Sequence, residues 1–295
     1  MLTPRDTVHT IVLCILDLSA IAANLVLIYA ILTRTPASMR AYAILLLNNA
    51  FVDIFSASGG ALAIARLIYL PSGPSQLYLF IGPCSYVGMG FCHLCHTIHT
   101  YFVSHSTFVL LHSFCFRLYI LRDKTAAVKV PSERITLLIT CLLYAPIVFV
   151  MFLFYSTSEI APPEVLRRLN LLEYPATWHA NVTDLRYVIA LTFLILLPPS
   201  AIFIIFIVRR ILLKEIGKMK AGAKSHHSHI AKALTYQMLL PVGQVLACTT
   251  WLLSVTGLLE GEAIERTMMT FGSFLALGSP IINLAFLPPY RRMFG

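Results

Sequence analysis

Runs of about twenty mostly apolar residues recur along this chain, separated by short polar loops, and that recurrence leaves few folds open. A bilayer core of roughly 30 Å is crossed by about 20 helical residues. A backbone in lipid must satisfy its own hydrogen bonds, and a helix does so within one segment. The runs predict seven spans: Ile11–Leu32, Tyr42–Ile68, Ser85–Leu121, Ile135–Tyr155, Tyr187–Val208, Ala233–Leu259 and Met268–Leu287. The third is interrupted by Ser, Thr and His. Only 12% of the 295 residues are charged, about half the usual ~25%, too few to cover a soluble surface. The first run is too long for a signal-peptide core and no basic run precedes it, so it reads as an uncleaved span. No repeat of fixed period or low-complexity tract divides the chain. The expectation is one all-α domain over residues 1–295, a seven-transmembrane helix bundle.

Lys and Arg set the expected orientation. Arg34, Arg40, Arg117, Arg122, Lys124, Lys129, Arg134, Arg209, Arg210, Lys214, Lys218, Lys220, Lys224, Lys232, Arg291 and Arg292 lie in or beside the loops after spans 1, 3 and 5 and the carboxyl terminus. Arg5, Arg66, Arg167, Arg168, Arg186 and Arg266 lie on the other side. The first set predicts the cytoplasmic face and puts the amino terminus outside. The sequon Asn181-Val182-Thr183 falls in the long loop after span 4, on the expected outer side, and makes Asn181 a candidate glycosylation site. Because the net charge of +9 is concentrated beside membrane spans, it points to membrane lipid as a partner and not to nucleic acid.

Polar residues inside spans are costly, at roughly 2.5–3.5 kcal/mol for a mid-bilayer charge. Asp53 lies roughly 16 Å into span 2, Asn24 roughly 12 Å from the inner end of span 1 and Asn283 roughly 10 Å from Tyr290. Their similar depth predicts an intramembrane polar network. It reads first as a structural clasp between helices, and second as a bistable network that holds a proton or cation and repacks on activation. Asp17 lies nearer the outer end of span 1, within reach of water. Arg117 ends span 3, where it can snorkel to the cytoplasmic boundary.

Cys92, Cys95, His96 and His99 follow i, i+3, i+4, i+7 and share a helix face. They are zinc-type ligands, yet four along one straight helix span roughly 10 Å and cannot close on one ion. The favoured reading is a polar, polarizable cavity lining, with no metal or other cofactor. His226-His227-Ser228-His229 reads as a solvated loop. Among the seven cysteines only Cys84 sits plainly at an outer helix end, and the loop after span 4 has none. A disulfide from span 3 to that loop is therefore impossible, and the remaining cysteines are expected to behave as small buried apolar residues. Pro146, Pro198, Pro199, Pro241 and Pro280 fall inside spans 4 to 7, and each frees a carbonyl and permits a kink.

Several segments carry a family resemblance. Thr33-Arg34-Thr35-Pro36-Ala37-Ser38-Met39-Arg40-Ala41-Tyr42, running on to Asn48, is similar to the first inner loop and second helix of nematode chemoreceptors. So are Gly82-Pro83-Cys84, His112-Ser113-Phe114-Cys115-Phe116-Arg117-Leu118-Tyr119, Ala233-Leu234-Thr235-Tyr236-Gln237 with Leu240-Pro241, and Pro280-Ile281-Ile282-Asn283 through Pro289-Tyr290-Arg291. In order, these resemble the serpentine receptor class delta group of the Str-type superfamily of seven-transmembrane G-protein-coupled receptors. Two departures from the rhodopsin-like pattern stand out: no acidic residue precedes Arg117, and Ser279 to Asn283 matches the helix 7 activation motif only loosely.

The resemblance implies a non-enzymatic chemosensory receptor in the plasma membrane of sensory neurons, in their cilia. Its small-molecule ligand, an odorant or pheromone, would sit between the outer halves of spans 3, 5, 6 and 7, beside Met89, Cys92, His93, His96, Trp251, Phe271 and Phe274. A heterotrimeric G protein would meet Arg117 and Tyr119 and the basic inner loops. An intramembrane zinc hydrolase is the alternative. It needs His ligands from separate helices, whereas the membrane histidines His93, His96, His99, His105 and His112 share span 3. A transporter, the third reading, would show internal repeats, and none is found.

Overall fold

The structure, a computed structural model, describes residues 4–69, 75–122, 132–179, 181, 183–218, 231–259 and 261–292. The helices are α1 (Pro4–Arg34), α2 (Arg40–Ala63), α3 (Met89–Arg122), α4 (Glu133–Leu142), α5 (Tyr144–Ser156), the short α6 (Pro163–Arg168), α7 (Leu185–Gly217), α8 (231–237), α9 (Pro241–Val255), α10 (Glu262–Phe286) and α11 (Pro288–Arg291). Six long apolar segments have the length and composition to cross a membrane: α1, α2, α4–α5, α7, α8–α9 and α10. The seventh long helix, α3, is the most interrupted by polar residues. It packs against α2, α5 and α7, and a helix enclosed by protein does not need a lipid-compatible surface. The outward faces of the other helices carry exposed Ile, Leu, Val and Phe, among them Ile15, Leu138, Phe149, Phe203 and Leu246. This is the apolar exposure a bilayer would cover.

Prolines set the breaks. Pro146 cannot donate to the carbonyl of Leu142, and the α4–α5 break falls there, at Leu143. Pro241 leaves the Gln237 carbonyl to the tighter bond from Leu240 N–H at 3.0 Å, and α8 stops there. Pro198 frees the Leu194 carbonyl, which accepts from Cys248 Sγ at 3.5 Å. Pro280 frees the Ala276 carbonyl, which accepts from Asn24 Nδ2 on α1 at 3.0 Å.

The end of the bundle at the start of α1 is closed by a sheet that the hydropathy reading missed. Residues read as the last turns of span 2 leave α2 at Ala63, turn through Ile64 at φ 38°, and run as strand β1 (Ala65–Tyr69). Strand β2 (Gln76–Phe80) pairs with it, and β3 (Glu159–Ile160) and β4 (Ala176–His179) complete an antiparallel sheet of order β1-β2-β4-β3. Both faces are covered, which explains a continuous apolar run. Leu67, Tyr78 and Phe80 pack toward α3, α5 and α7, while Ile68, Leu77 and Leu79 pack with Leu166 of α6. Cys84, in the short helical turn Pro83–Tyr86, forms a disulfide with Cys92 of α3, Cα to Cα 5.0 Å.

Charges hold this lid to the helices. Asp6 Oδ1 accepts from Arg266 Nη2 at 2.6 Å and Nε at 3.0 Å, and from Arg66 Nη1 at 3.3 Å. Arg66 also donates from Nε and Nη2 to Glu265 Oε2 at 3.1 Å. Arg266 Nη1 reaches Glu262 Oε2 at 3.2 Å. The cluster joins α1, β1 and α10, with Asp6, Arg66 and Arg266 all buried.

Other boundaries differ from the sequence expectation. Helix α1 begins seven residues earlier than the first apolar run, at Pro4, so His9 is helical and contacts the Ala65 carbonyl at 3.3 Å. Helix α3 starts at Met89, because residues 83–86 form the separate turn and Gly88 has φ 135°. Helix α7 runs well past Val208 to Gly217. The segment 226–229 lies outside the described residues.

Candidate functional site

Beneath the lid lies a cavity of about 110 Å³. Its roof is Leu67 and Tyr78 from the sheet. Its walls are His96, His99, Thr100 and Val103 of α3, Phe154 of α5, Leu191, Leu194 and Ile195 of α7, Gln244, Ala247, Cys248 and Trp251 of α9, and Met268, Met269 and Gly272 of α10. The lining is mainly apolar with a few placed polar atoms, the usual composition of a small-molecule site.

The region between roof and α3 is an aromatic and imidazole cluster. Tyr78 lies 4.7 Å from the His96 ring, and His179 lies 5.1 Å from Phe154 and 4.6 Å from Tyr187. Tyr187 OH donates to Gln76 Oε1 at 2.6 Å, tying α7 to β2. Burial holds His179 neutral, its pKa lowered to about 3, with His93 adding to the effect. Burial also pushes the Tyr78 hydroxyl up to about 12. The histidines do not converge as ligands: among the described residues no three His, Cys, Asp or Glu side chains are grouped to hold a metal.

Below the cavity floor, Gln244 accepts at Oε1 from Thr107 at 3.2 Å and donates to Ser104 of α3. Deeper still lies the Asp53 layer. Asn49 Nδ2 donates to Asp53 Oδ2 at 2.9 Å and to Ser279 Oγ at 2.7 Å. Ser106 Oγ donates to Asp53 Oδ1 at 2.8 Å. Gln237 Nε2 reaches Ser279 Oγ at 3.5 Å. Thus α2, α3, α8 and α10 meet in one polar layer around a small cavity of about 20 Å³, which Asn283 also lines.

At the far end Arg117 is 6% exposed. Its guanidinium carbon lies 3.6 Å above the centroid of the Tyr42 ring, a cation–π stack. Tyr42 stacks in turn on Phe116. Nearby, Tyr290 OH pairs with Thr35 Oγ1 at 3.0 Å, joining α11 to the turn after α1.

Residues 9–295 match the family model described as serpentine type 7TM GPCR chemoreceptor Srd. The chain belongs to the Srd chemoreceptor family. Among its relatives in Caenorhabditis elegans, serpentine receptor class delta-1 is 29% identical over 290 residues, covering 92% of this chain and 76% of that protein. Serpentine receptor class delta-2 is 27% identical over 291 residues, covering 95% and 80%. Squid rhodopsin superposes with a TM-score of 0.73 at 16% identity, over 99% of this chain and 81% of that chain. That likeness is one of fold: a seven-helix, multi-span membrane bundle.

Within this Srd fold the residues singled out from sequence are placed unevenly. Of the seven proposed ligand neighbours, His96 and Trp251 line the cavity. Cys92 is corrected to a disulfide partner of Cys84. His93 stacks beside Phe154 and Tyr155, with Nδ1 3.4 Å from the Thr177 hydroxyl, behind the cavity wall. Met89 is the half-buried first residue of α3. Phe271 packs its carbonyl toward Gly243 of α9. Phe274 is 50% exposed, because it lies two residues, or about 200° of helix, from Gly272 on the cavity wall.

The polar trio does not form one network. Asn24 bonds to backbone carbonyls of Ala20 and Ala276. Asp53 is the hub with Asn49, Ser106 and Ser279. Asn283 is fully buried, and neither side-chain polar atom has a hydrogen-bond partner among the described residues. Asp17 is fully buried, not water-accessible. Arg117 is folded into the bundle and does not snorkel, while Tyr119 is 50% exposed. Cys115 and Cys141 face outward, correcting their expected burial. Asn181 is exposed beyond β4, its Oδ1 accepting from Thr183 N at 2.9 Å.

Sequence reasoning missed Tyr78 and Leu67, because both sit on strands, and missed Asn49, Ser106, Gln237 and Ser279. Asn49 had a readable signal: it precedes Asp53 by four residues and shares its helix face.

Proposed function

We propose that this Srd protein is a chemosensory receptor that binds an odorant or pheromone in the cavity under the lid and activates a heterotrimeric G protein at the Arg117 end. The observation that carries the reading is vertical continuity. Gln244 lines the cavity and bonds to α3, and the next layer down cross-links α2, α3, α8 and α10 through Asp53. A ligand that favours one packing of α3, α9 and α10 over another shifts that layer, whereas a ligand of equal affinity for both shifts nothing. The lid end, with the amino terminus and Asn181, faces outward. The end rich in Arg and Lys faces the cytoplasm and the G protein. The location is the plasma membrane of a sensory neuron, in its cilia. The ligand turns a switch and is not chemically altered.

The test is a small-molecule screen in cells carrying a promiscuous G protein as reporter, followed by Arg117→Lys and Arg117→Ala. Stacking on Tyr42 uses the flat face of a guanidinium, which an ammonium lacks. Both variants should reach the surface and bind ligand, yet signal weakly. Full signalling by Arg117→Lys would show that the flat guanidinium face is dispensable and that a positive charge at this position suffices.

A further inference from the structure

Asp17 sits on α1, fully buried, and neither carboxylate oxygen has a hydrogen-bond partner among the described residues. An ionisable group left so is expensive, and in a membrane interior it marks a functional site with a missing partner. It faces a small void of about 10 Å³ that it shares with Gly60, His96, His99, Met269 and Ser273. His96, His99 and Met269 also wall the main cavity, so the two spaces adjoin across these side chains.

The surroundings are shaped for a donor. His99 Nδ1 lies 2.9 Å from the Ser56 carbonyl oxygen. A carbonyl only accepts, so Nδ1 donates to it, and the other ring nitrogen, Nε2, stands outside that bond. The Ser273 hydroxyl lines the same void and is a side-chain donor beside the carboxylate. One hydroxyl can answer one lone pair of the carboxylate, and no Lys or Arg lines the void to answer its charge. Glycines keep the void open. A Cβ at Gly60 would come within 2.5 Å of Asp17 Oδ2 and 2.8 Å of His99 Nδ1, and one at Gly272 within 3.3 Å of His99 Nε2.

We infer that the ligand is a small amphiphilic amine, its ammonium group drawn past His99 and Met269 to Asp17, Ser273 and His99 Nε2, and its apolar body held beneath Tyr78 beside Trp251. An ammonium supplies several N–H donors and a positive charge, which answers the remaining lone pairs and neutralises the buried carboxylate. A carboxylic acid would set like charge against Asp17, and an alcohol would leave the charge unpaired.

This inference rests on the receptor reading, and the test separates the two. The full chain, purified in lipid nanodiscs, is melted in the presence of linear primary alkylamines and of the alcohols of matched length. The amines should stabilise it at concentrations at least tenfold below the alcohols. Asp17→Asn, nearly isosteric, should erase that advantage, and Ser273→Ala should weaken the amine by a few fold. If amines do no better than alcohols on the unmutated protein, or keep their advantage in both variants, the inference is overturned. Amine stabilisation without nucleotide exchange on an added G protein would instead contradict the receptor reading and leave the amine site standing.

Discussion

The Asn24–Ala276 bond gives a stability prediction that can be worked from two residues. Pro280 has no N–H to offer the Ala276 carbonyl, and Asn24 Nδ2 fills that place from α1 at 3.0 Å. Removing the amide loses one bond between helices, about 0.6–2 kcal/mol. It also leaves a buried carbonyl unpaired, at about 1–3 kcal/mol. These overlap, so Asn24→Ala should cost about 2 kcal/mol. In a Pro280→Ala background the restored N–H of residue 280 can close the ordinary i to i−4 bond. The carbonyl then no longer depends on α1, and Asn24→Ala should cost only about 1 kcal/mol. The assay is reversible unfolding in mixed micelles for the four proteins of the double-mutant cycle, with Asn24→Leu as a volume control. A coupling of about 1 kcal/mol is expected. Additivity to within about 0.3–0.5 kcal/mol would refute the idea that Asn24 compensates for the proline.

Three other outcomes follow from the lid and its surroundings. Asp6→Ala leaves Arg66 and Arg266 buried with one carboxylate fewer, and losing one partner of a buried ion pair costs about 3–5 kcal/mol; faster amide exchange in β1 and β2 checks this, and unchanged exchange would show the cluster to be dispensable. His179 has a pKa lowered to about 3 in the closed lid against 6.5 when released. The open form therefore binds more protons between those values, so lid stability is full above about 6.5 and falls as pH drops, by about 2 kcal/mol at pH 5; His179→Asn should flatten the pH dependence of exchange in β4. Protein made in a eukaryotic membrane should lose a glycan-sized mobility shift on Asn181→Gln, whereas glycosylation at a site engineered into the loop after α7 would invert the orientation proposed above.

The bundle was legible because each lipid-facing helix has to advertise itself. An apolar outer surface of about 20 residues has no substitute in a bilayer. The lid was not legible for the same reason. Ala65 to Tyr69 and Gln76 to Phe80 are mostly apolar because both sheet faces are covered by protein; a hydropathy rule reads the first, continuous with α2, as more helix, and the second is too short to be read as a span. The left-handed turn at Ile64 carries no sequence mark, since a β-branched residue rarely adopts it. Prolines were the opposite case: the positions of the breaks at Leu143 and residues 238–240 follow from Pro146 and Pro241 by counting back one turn.

The site was less legible than the fold, and the reason is geometric. Depth along a helix can be counted, so Asn24, Asp53 and Asn283 were found at similar levels. Rotation about each helix cannot be counted without knowing its neighbours, and rotation decides contact. It sends Asn24 to a backbone carbonyl, Asp53 into a four-helix hub and Phe274 outward. The same limit hid Asp17. Counted by depth it lay near water, but α1 turns it inward against Gly60 and Ser273. The lid above then removes the remaining solvent, and a residue that looked like an ordinary outer carboxylate becomes a buried charge needing a counter-ion. What distinguishes it from Asp53 is its company. Asp53 is satisfied by Asn49 and Ser106 of the chain itself, whereas Asp17 has the Ser273 hydroxyl beside it and no Lys or Arg on its void, which is why the amine inferred above would supply its counter-charge from outside the polypeptide.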